Sequence, residues 1–204
     1  MKRSRFLVLA LGLCLFGSAG AACRNEPPAP GDYIGKLNAA RAAKDENFRI
    51  TNDVIPADKK DQFLPLSYFP PDPDYNVPGV LKPAADSATL MMPTSTGQQR
   101  EMRRVGSLEF TLKGQPMTLT AFVEAGARDM NRLFVPFSDM TSGTETYPAG
   151  RYLDLDRTAT GVYEVDFNYA YHPYCLFNPT YDCPFPPEEN RLKVPIHAGE
   201  KLRK

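Results

Sequence analysis

Apolar and polar residues alternate along much of this chain between residues 76 and 168. Leu108, Phe110 and Leu112 are separated by single polar residues, and the segment 117–123 repeats this pattern. Because successive side chains of a β-strand point to opposite faces, each such segment predicts a strand with one buried face. The strands predicted in this way are 76–82, 88–93, 99–105, 107–113, 117–123, 133–137, 152–156, 162–168 and 193–197.

Most connections between these strands are short, and several contain glycine, as tight antiparallel turns require. Examples are Thr96-Gly97, Lys113-Gly114-Gln115 and Ala125-Gly126. A succession of short antiparallel strands must close on itself or fold over to protect its edges. The sequence therefore predicts a mainly β fold, either an antiparallel β-sandwich or a partly open β-barrel or roll.

A different period precedes the strands and predicts one N-terminal amphipathic helix of about four turns. Asp32 is suited to cap the start of this helix. One face would pack against the sheet while the other stays in solvent. The residues that recur at three- and four-residue steps on the inner face are Tyr33, Leu37, Ala40, Lys44 and Phe48.

The first 22 residues have the composition of a signal peptide. Lys2, Arg3 and Arg5 precede an apolar run at residues 6–16, and small residues follow at 17–22. The apolar run is too short to span a bilayer as a stable helix.

The rest of the chain divides into two parts. Residues 23–31 are proline-rich and predict a flexible tether. Residues 32–204 are long enough for one hydrophobic core and predict a single mainly β domain.

Two routes of processing fit the end of the signal peptide. Ordinary cleavage after the triplet Ala19-Gly20-Ala21 would release a soluble secreted protein. Alternatively Cys23 is lipidated, because the preceding Gly20-Ala21-Ala22 resembles a bacterial lipobox. A lipidated cysteine followed by a tether explains this composition better and predicts a membrane-anchored lipoprotein. Both routes predict an exported protein of the cell envelope or periplasm.

Charge argues against one class of partner. The whole chain has 24 basic and 24 acidic side chains, and without Lys2, Arg3 and Arg5 its net charge is −3. No block of basic residues occurs in the predicted domain. The sequence therefore disfavours nucleic-acid binding.

Two cysteines remain in the predicted domain, Cys175 and Cys183. In an oxidising envelope they are predicted to form a disulfide. A metal site that adds His172 is an alternative, although it lacks a clear fourth ligand. Free thiols are the third possibility.

The segments 152–156 and 162–168 predict a hairpin, because Gly161 can adopt the left-handed conformation that a three-residue loop needs. In this register Asp156 faces Glu164 and Asp154 faces Asp166. Like charges directly opposed across two strands are destabilising. The acidic face therefore needs a compensating partner.

Three partners for the acidic face remain open. The first is solvent with neighbouring arginines such as Arg151 and Arg157. The second is a Ca²⁺ ion bound by carboxylate oxygens. No other cofactor is expected. The third is a raised pKa that leaves one carboxyl protonated and able to act as an acid. The candidate metal ligands are Asp154, Asp156, Glu164 and Asp166.

Three motifs resemble the bacterial and archaeal family known as domain of unknown function 1684. They are PFSDMTSGTETYPAGRYLDL, DFNYAYHPYC and CPFPPEENRLKVPIHAGEK, and the earlier YFPPDPDY and GSLEFTLKG look like the N-terminal pattern of the same family. The resemblance covers most of the chain from about Asp32 onward. It brings no established activity, substrate or cofactor, and implies only a set of marked polar positions.

We interpret ten of these positions as candidates for a ligand pocket on loops above the sheet. A structural reading stands beside this one, in which Glu145 and Arg151 form an ion pair that locks their loop. Tyr169, Tyr171, Tyr174 and Tyr181 fit either packing or a platform that stacks on carbohydrate. The ten candidates are Asp139, Thr141, Glu145, Tyr147, Arg151, Asp166, Asn168, Tyr171, Glu189 and Asn190.

Two hypotheses about function follow. The first is a ligand-binding or structural module of the envelope, anchored to the membrane by its lipid and binding a small molecule or an envelope component. The alternative is a carboxylate-dependent hydrolase of an envelope polymer or small ester, with Glu145, Asp154 or Asp166 as acid or base. The sequence has no nucleophile-elbow serine, no HExxH and no phosphate loop, so it leaves enzyme activity open.

Overall fold

The computed structural model describes residues 30–51, 53–86, 88–127 and 131–203. The predicted signal peptide, Cys23 and the tether up to residue 29 lie outside the described residues. The helix begins at Pro30, two residues before Asp32. A proline in the first helical turn loses nothing by lacking an N–H, because that N–H would have no partner within the helix.

Strands dominate the described chain, which confirms the predicted mainly β class. The helices are α1 (Pro30–Ile50) and α2 (Lys60–Phe63). The strands are β1 (Ser67–Tyr68), β2 (Asn76–Pro83), β3 (Thr89–Pro93), β4 (Gln99–Leu112), β5 (Gln115–Glu124), β6 (Arg132–Phe137), β7 (Arg151–Asp156), β8 (Val162–Asp166) and β9 (Glu200–Lys201).

The long strand β4 organises the sheet. It replaces the two predicted strands 99–105 and 107–113, because the chain continues through a β-bulge at Val105, next to Gly106. A side chain at Gly106 would overlap the carbonyl of Lys82, so only glycine fits there. The turn at Lys113 and Gly114, both with positive φ, joins β4 to β5 as predicted.

The strand order β7-β6-β5-β4-β2-β8, with β3 on the free part of β4, forms a nearly closed antiparallel barrel. Every recorded pair in this sheet is antiparallel. The predicted hairpin between β7 and β8 is wrong. Gly161 does adopt a positive φ of 72°, but β7 pairs with β6 and β8 pairs with β2. The two strands therefore meet across the seam of the barrel instead of sharing a hydrogen-bonded ladder.

The predicted strand 193–197 is also wrong, because this segment is irregular. Its polar backbone groups bind other parts of the chain: the amide of Ile196 donates to Asp139 and its carbonyl accepts from Arg151. The carbonyl of Val194 accepts from the amide of Met140, and β9, which follows the segment, pairs with β1.

Alternate residues of the strands fill two separate regions. Inward residues such as Leu119, Val135 and Leu153 form the core of the barrel. The outward residues Met102 and Phe122 are buried as well, in a second apolar cluster. Strands β4 to β6 are thus covered on both faces here. The segment 180–185 is part of the outer cover, and its backbone binds the end of β3 and the turn that follows β3.

Helix α1 docks on the barrel mainly through polar contacts. Leu37 and Phe48 are buried as predicted, whereas Ala40 is exposed. Between them Arg41 donates to the carbonyl of Phe69 at 3.1 Å, and Lys44 lies 2.6 Å from Glu200. None of the helices in the described part of the chain is long and apolar enough to cross a membrane.

Candidate functional site

Arg151 is a fully buried cation that ties β7 to the C-terminal segment. Its guanidinium donates to Asp139 at 2.9 Å and to the carbonyls of Ile196 at 2.8 Å, Glu200 at 3.1 Å and Ala198. The predicted ion pair with Glu145 is therefore wrong. Glu145 instead lies at the surface, 3.1 Å from Nε2 of His197. Sequence proximity favoured Glu145, but a buried charge requires a partner that is itself buried.

The loop from Asp139 to Arg151 is held together by its own polar groups. Oδ1 of Asp139 accepts from the amide of Thr141 at 2.8 Å and from its hydroxyl at 2.6 Å. The hydroxyls of Thr141 and Thr146 lie 2.9 Å apart, and both side chains are buried. These contacts satisfy buried backbone groups in an irregular segment, which is a structural role.

Two buried asparagines have the same role in other places. Asn190 accepts from the amide of Thr120 at 2.7 Å and donates to the carbonyls of Thr120 and Pro136. Asn168 bonds the backbone of Asp72 in both directions and also donates to Asp166. Both amides are thus fully used within the fold.

His172 and Glu200 form a buried polar pair beneath helix α1. Glu200 accepts from Lys44 and, through its second oxygen, from the amide of His172 at 2.8 Å. Nε2 of His172 accepts from the amide of Tyr147 at 3.3 Å. Burial lowers the pKa of His172 to about 4, so the ring is neutral at physiological pH. Because Nε2 of His172 already accepts from a backbone amide, and no group in the described ranges is placed to hold a metal ion, the predicted metal alternative with the two cysteines has no support.

A large cavity lies on the outer face of β4 to β7, beneath the segment 171–184, and has a volume of about 520 Å³. This volume lies within the range of small-molecule sites in proteins. Apolar groups such as Met102 and Val123 form part of its wall. Its aromatic lining consists of Phe134, Tyr152, Tyr171, Tyr174 and Tyr181.

The five rings form one continuous chain of contacts. Phe134 and Tyr152 have ring centroids 4.7 Å apart, and Tyr152 and Tyr171 follow at 5.7 Å with their planes 89° apart. Tyr171 contacts Tyr174, which meets Tyr181 edge-on at 5.3 Å. Edge-to-face packing fixes the rings relative to one another. The lining is therefore already arranged before any ligand enters.

The tyrosine hydroxyls are directed to partners in the protein. Tyr152 donates to the carbonyl of Pro184 at 2.6 Å, and Tyr171 donates to Asp154 at 2.8 Å. Burial is the main cause that raises the pKa of both tyrosines, and for Tyr171 the neighbouring Asp154 adds to it. Both phenols are therefore neutral over the physiological range.

Charged side chains of both signs surround the rings. Arg100 donates to the backbone carbonyl of Asp182 at 2.6 Å and pairs with Glu124 at 3.1 Å. Arg132 is two-thirds exposed and lies 3.2 Å from Asp154. An ion pair whose arginine is largely in solvent contributes little to stability. A ligand can therefore replace Asp154 as the partner of Arg132 at small cost.

Cys175 and Cys183 are free thiols in the structure, so the predicted disulfide is wrong for this state. The amide of Cys175 donates to Sγ of Cys183 at 3.2 Å, and the thiol of Cys175 lies 4.0 Å from the hydroxyl of Tyr147. Hydrogen bonds hold the loop without a covalent bond, because Ser95 bonds the backbone of Cys183 in both directions. Cys183 also lines the large cavity.

The four acids of the predicted hairpin do come together, but across the barrel seam. Asp154, Asp156, Glu164 and Asp166 all line a cavity of about 340 Å³ between β7 and β8. The predicted facing pairs are wrong because these strands are not paired. Within the described ranges no group of three or more His, Cys, Asp or Glu side chains is placed to hold a metal ion.

Three of these acids have separate neutral partners. Glu164 accepts from Asn76 at 2.5 Å, Asp166 accepts from Tyr33 at 2.7 Å, and Asp154 accepts from Tyr171. Burial raises the pKa of Asp166, whereas the hydrogen bonds that Asp166 accepts from Tyr33 and Asn168 lower it. Arg132, and not the expected Arg151, pairs with the acidic face.

The ten candidate residues from the sequence do not share one cleft. Tyr171 lines the large cavity, Asp166 the seam cavity, and Glu145 a third cavity of about 410 Å³. The hydroxyl of Tyr147 lies beside Cys175, and Glu189 pairs with Arg104 at 2.6 Å on the surface. The remaining five bind buried backbone or one another: Asp139, Thr141, Arg151, Asn168 and Asn190.

Several residues of the large cavity were missed in the sequence. Arg100, Arg132, Phe134 and Tyr152 lie on strands whose inward residues are already apolar. Large outward residues at alternate positions of such strands indicate that the outer face is covered as well. That signal was present in the segments 132–137 and 151–156.

The fold and the large cavity define a class of protein: a nearly closed antiparallel barrel with an aromatic cavity on one side. A family model described as protein of unknown function (DUF1684) matches residues 61–201. The chain belongs to this family, and the resemblance noted in the sequence is confirmed.

Comparison with known proteins supports the fold but adds no activity. The chain is 37% identical to an uncharacterized protein from gene locus rrnAC0354 of Haloarcula marismortui, whose solution NMR structure aligns with a TM-score of 0.67. The alignment covers 84% of this chain and 95% of that one. A search of curated proteins found no match.

Proposed function

We propose that this protein is an envelope module that binds a small organic molecule in the aromatic cavity. The observation that carries the proposal is the chain of five contacting rings around a 520 Å³ space with charged groups of both signs beside it. Pre-arranged aromatic walls with a few polar groups are typical of ligand sites. Stability alone does not require such a cavity, because a void loses packing contacts.

The ligand that fits these walls has a ring or flat apolar face and at least one polar group. Rings stack on tyrosine and phenylalanine faces, and sugars and aromatic acids both present such faces. Arg132 is the cation most available to an anionic group, since it is exposed and held by a single carboxylate of Asp154. Asp154 can in turn accept hydrogen bonds from ligand hydroxyls.

A fluorescent aromatic anion, 1-anilinonaphthalene-8-sulfonate, tests the site. We expect saturable binding of one molecule to the full chain. Ala127→Trp introduces an indole at the cavity wall, and we expect it to weaken binding by about tenfold or more, which corresponds to about 1.4 kcal/mol. Ala43→Trp adds the same ring on the exposed face of α1 and is the matched control.

The chain contains no tryptophan, so the fluorescence of each introduced indole reports on its own surroundings in that variant. Thermal melts that match the wild type establish that Ala127→Trp is folded. Equal binding of the probe by both variants, or no saturable binding by the wild type, would contradict the proposal. Competition with monosaccharides and with aromatic acids then separates the two ligand classes.

We also propose that the protein is exported and held at the membrane by a lipid on Cys23. The proposal rests on the basic and apolar residues at the N-terminus and on the cysteine that follows them. With the domain beginning near α1, the intervening residues would serve as the tether. The aromatic cavity would then be presented to molecules in the envelope.

A further inference from the structure

The two free cysteines are brought together by the fold, although seven residues separate them in the chain. Cys175 lies in the single helical turn Tyr174–Leu176 and is half-buried, whereas Cys183 is buried. Sγ of Cys183 accepts from the amide of Cys175 at 3.2 Å. The turn thus carries Cys175 to within contact of Cys183, where Cys175 is half-buried and Cys183 is buried in the wall of the large cavity.

The groups around Cys175 stabilise its thiolate. The thiol of Cys183 and the hydroxyls of Ser95 and Tyr147 lie around its sulfur, and the hydroxyl oxygen of Tyr147 is 4.0 Å from it. They lower the pKa of Cys175 to about 6, the bond from Cys183 being the largest cause, although burial opposes it. The same bond raises the pKa of Cys183, so this residue keeps its proton. An accessible thiolate beside a protonated thiol is the arrangement of a redox-sensitive pair.

We propose that Cys175 is a nucleophile that reacts with hydroperoxides and that Cys183 is its resolving thiol, so that the pair alternates between a dithiol and a disulfide. This inference does not require a ligand in the aromatic cavity, although Cys183 lines that cavity. It also differs from a permanent structural disulfide, because both cysteines are free thiols in the structure.

The chemistry balances with a hydroperoxide as the oxidant. The Cys175 thiolate attacks one peroxide oxygen, an S–O bond forms, the O–O bond breaks, and the departing alkoxide or hydroxide takes up a proton. Cys183 then loses its proton and attacks the sulfenic sulfur, so that an S–S bond forms and water leaves. A small dithiol restores the pair by exchange and is itself oxidised to a disulfide.

The first test measures the rate of alkylation by iodoacetamide against pH, in the full chain, with each cysteine followed by mass spectrometry of its own peptide. We expect the rate at Cys175 to be half-maximal near pH 6, against about 8.5 for an ordinary thiol. The midpoint is the informative quantity, because a thiolate of low pKa is also a weaker nucleophile. At pH 7 we expect Cys183 to react at least about tenfold more slowly.

The second test identifies the product formed with hydrogen peroxide. Wild type should give a disulfide between the two peptides, reversible by dithiothreitol without unfolding. Cys183→Ser should stop at the sulfenic acid of Cys175, trapped by dimedone, and should raise the midpoint of alkylation. Tyr147→Phe removes one donor and should raise the midpoint less, while its peroxide product stays a disulfide. Cys175→Ser should leave Cys183 unreactive.

Three results would overturn the proposal. One is equal midpoints near 8.5 for both cysteines, and another is a disulfide already present that dithiothreitol cannot reduce in the folded protein. The third is a sulfenic acid that persists in wild type as it does in Cys183→Ser. Near-ultraviolet circular dichroism of each variant establishes that the fold is retained.

Discussion

At the scale of single residues, the burial of His172 makes the stability of the fold depend on pH. Its pKa is about 4 in the folded protein and about 6.5 in an unfolded chain. Between these values the unfolded chain binds more protons, so stability falls as the pH is lowered from 6.5 to 4. Above 6.5 the ring is neutral in both states and contributes no pH dependence.

We expect His172→Gln to remove this part of the pH dependence. The difference of about 2.5 pKa units corresponds to at most about 3–4 kcal/mol at about 1.36 kcal/mol per unit. Urea denaturation at pH 7 and pH 4.5 measures the change, and the loss on acidification should be smaller in the variant. His197→Gln is the control, because His197 is half-exposed. An equal loss on acidification in wild type and His172→Gln would show that His172 does not carry the effect.

Residue patterns predicted local conformation better than they predicted partners. The positive φ of Gly97, Gly114 and Gly161 follows from turns that these residues determine by themselves. The partner of Arg151 was predicted as Glu145, six residues away, but is Asp139 together with carbonyls of the C-terminal segment. Such a partner depends on the complete fold, and no local pattern contains it.

At the scale of elements, Arg151 connects β7 to residues 196–200, of which only Glu200 belongs to a strand. The carbonyls of residues 196, 198 and 200 accept from its guanidinium in the way that they would accept from a neighbouring strand. This explains why the apolar alternation at 193–197 predicted a strand that does not form. The inward side chains are present, but a side chain takes the place of the adjacent backbone.

We expect Arg151→Ala to destabilise the protein by about 3–5 kcal/mol, because Asp139 would become a buried carboxylate without a cationic partner. The measurement is the free energy of unfolding from urea denaturation at pH 7. Arg132→Ala removes an exposed arginine that also pairs with an aspartate, and its cost should stay below about 1 kcal/mol. Similar losses in both variants would contradict the structural role of Arg151.

Pairing of strands is the part of the fold that the sequence predicted least well. The β4–β5 hairpin was predicted correctly because its strands and its turn are contiguous. The turn at Gly161 looked equivalent, yet β7 and β8 each pair with a strand other than the one across that turn. The cavity was missed for the same reason, since its walls come from β4 to β7 and from the segment 171–184.

At the scale of the whole molecule, the proposed lipid anchor at Cys23 makes the location of the protein testable. We expect cells fed a palmitate analogue to label the wild-type protein and not Cys23→Ser. Thioether and amide attachment at this cysteine would also keep the wild type with the membrane fraction, whereas the variant would be released. Cys175→Ser is the matched control and should label as the wild type does. Labelling of Cys23→Ser at the wild-type level, or of neither protein, would leave ordinary cleavage of the signal as the remaining route.

The buried Arg151 also limits how early in its synthesis the domain can fold. Its carbonyl partners lie between residues 196 and 200, at least 45 residues after the arginine, so they do not yet exist when the ribosome incorporates it. The barrel cannot enclose this charge at low cost until residue 200 has been synthesised. For a chain that crosses a membrane before it folds, as we propose, this delay favours translocation. Residues 196–200 then complete the domain on the far side.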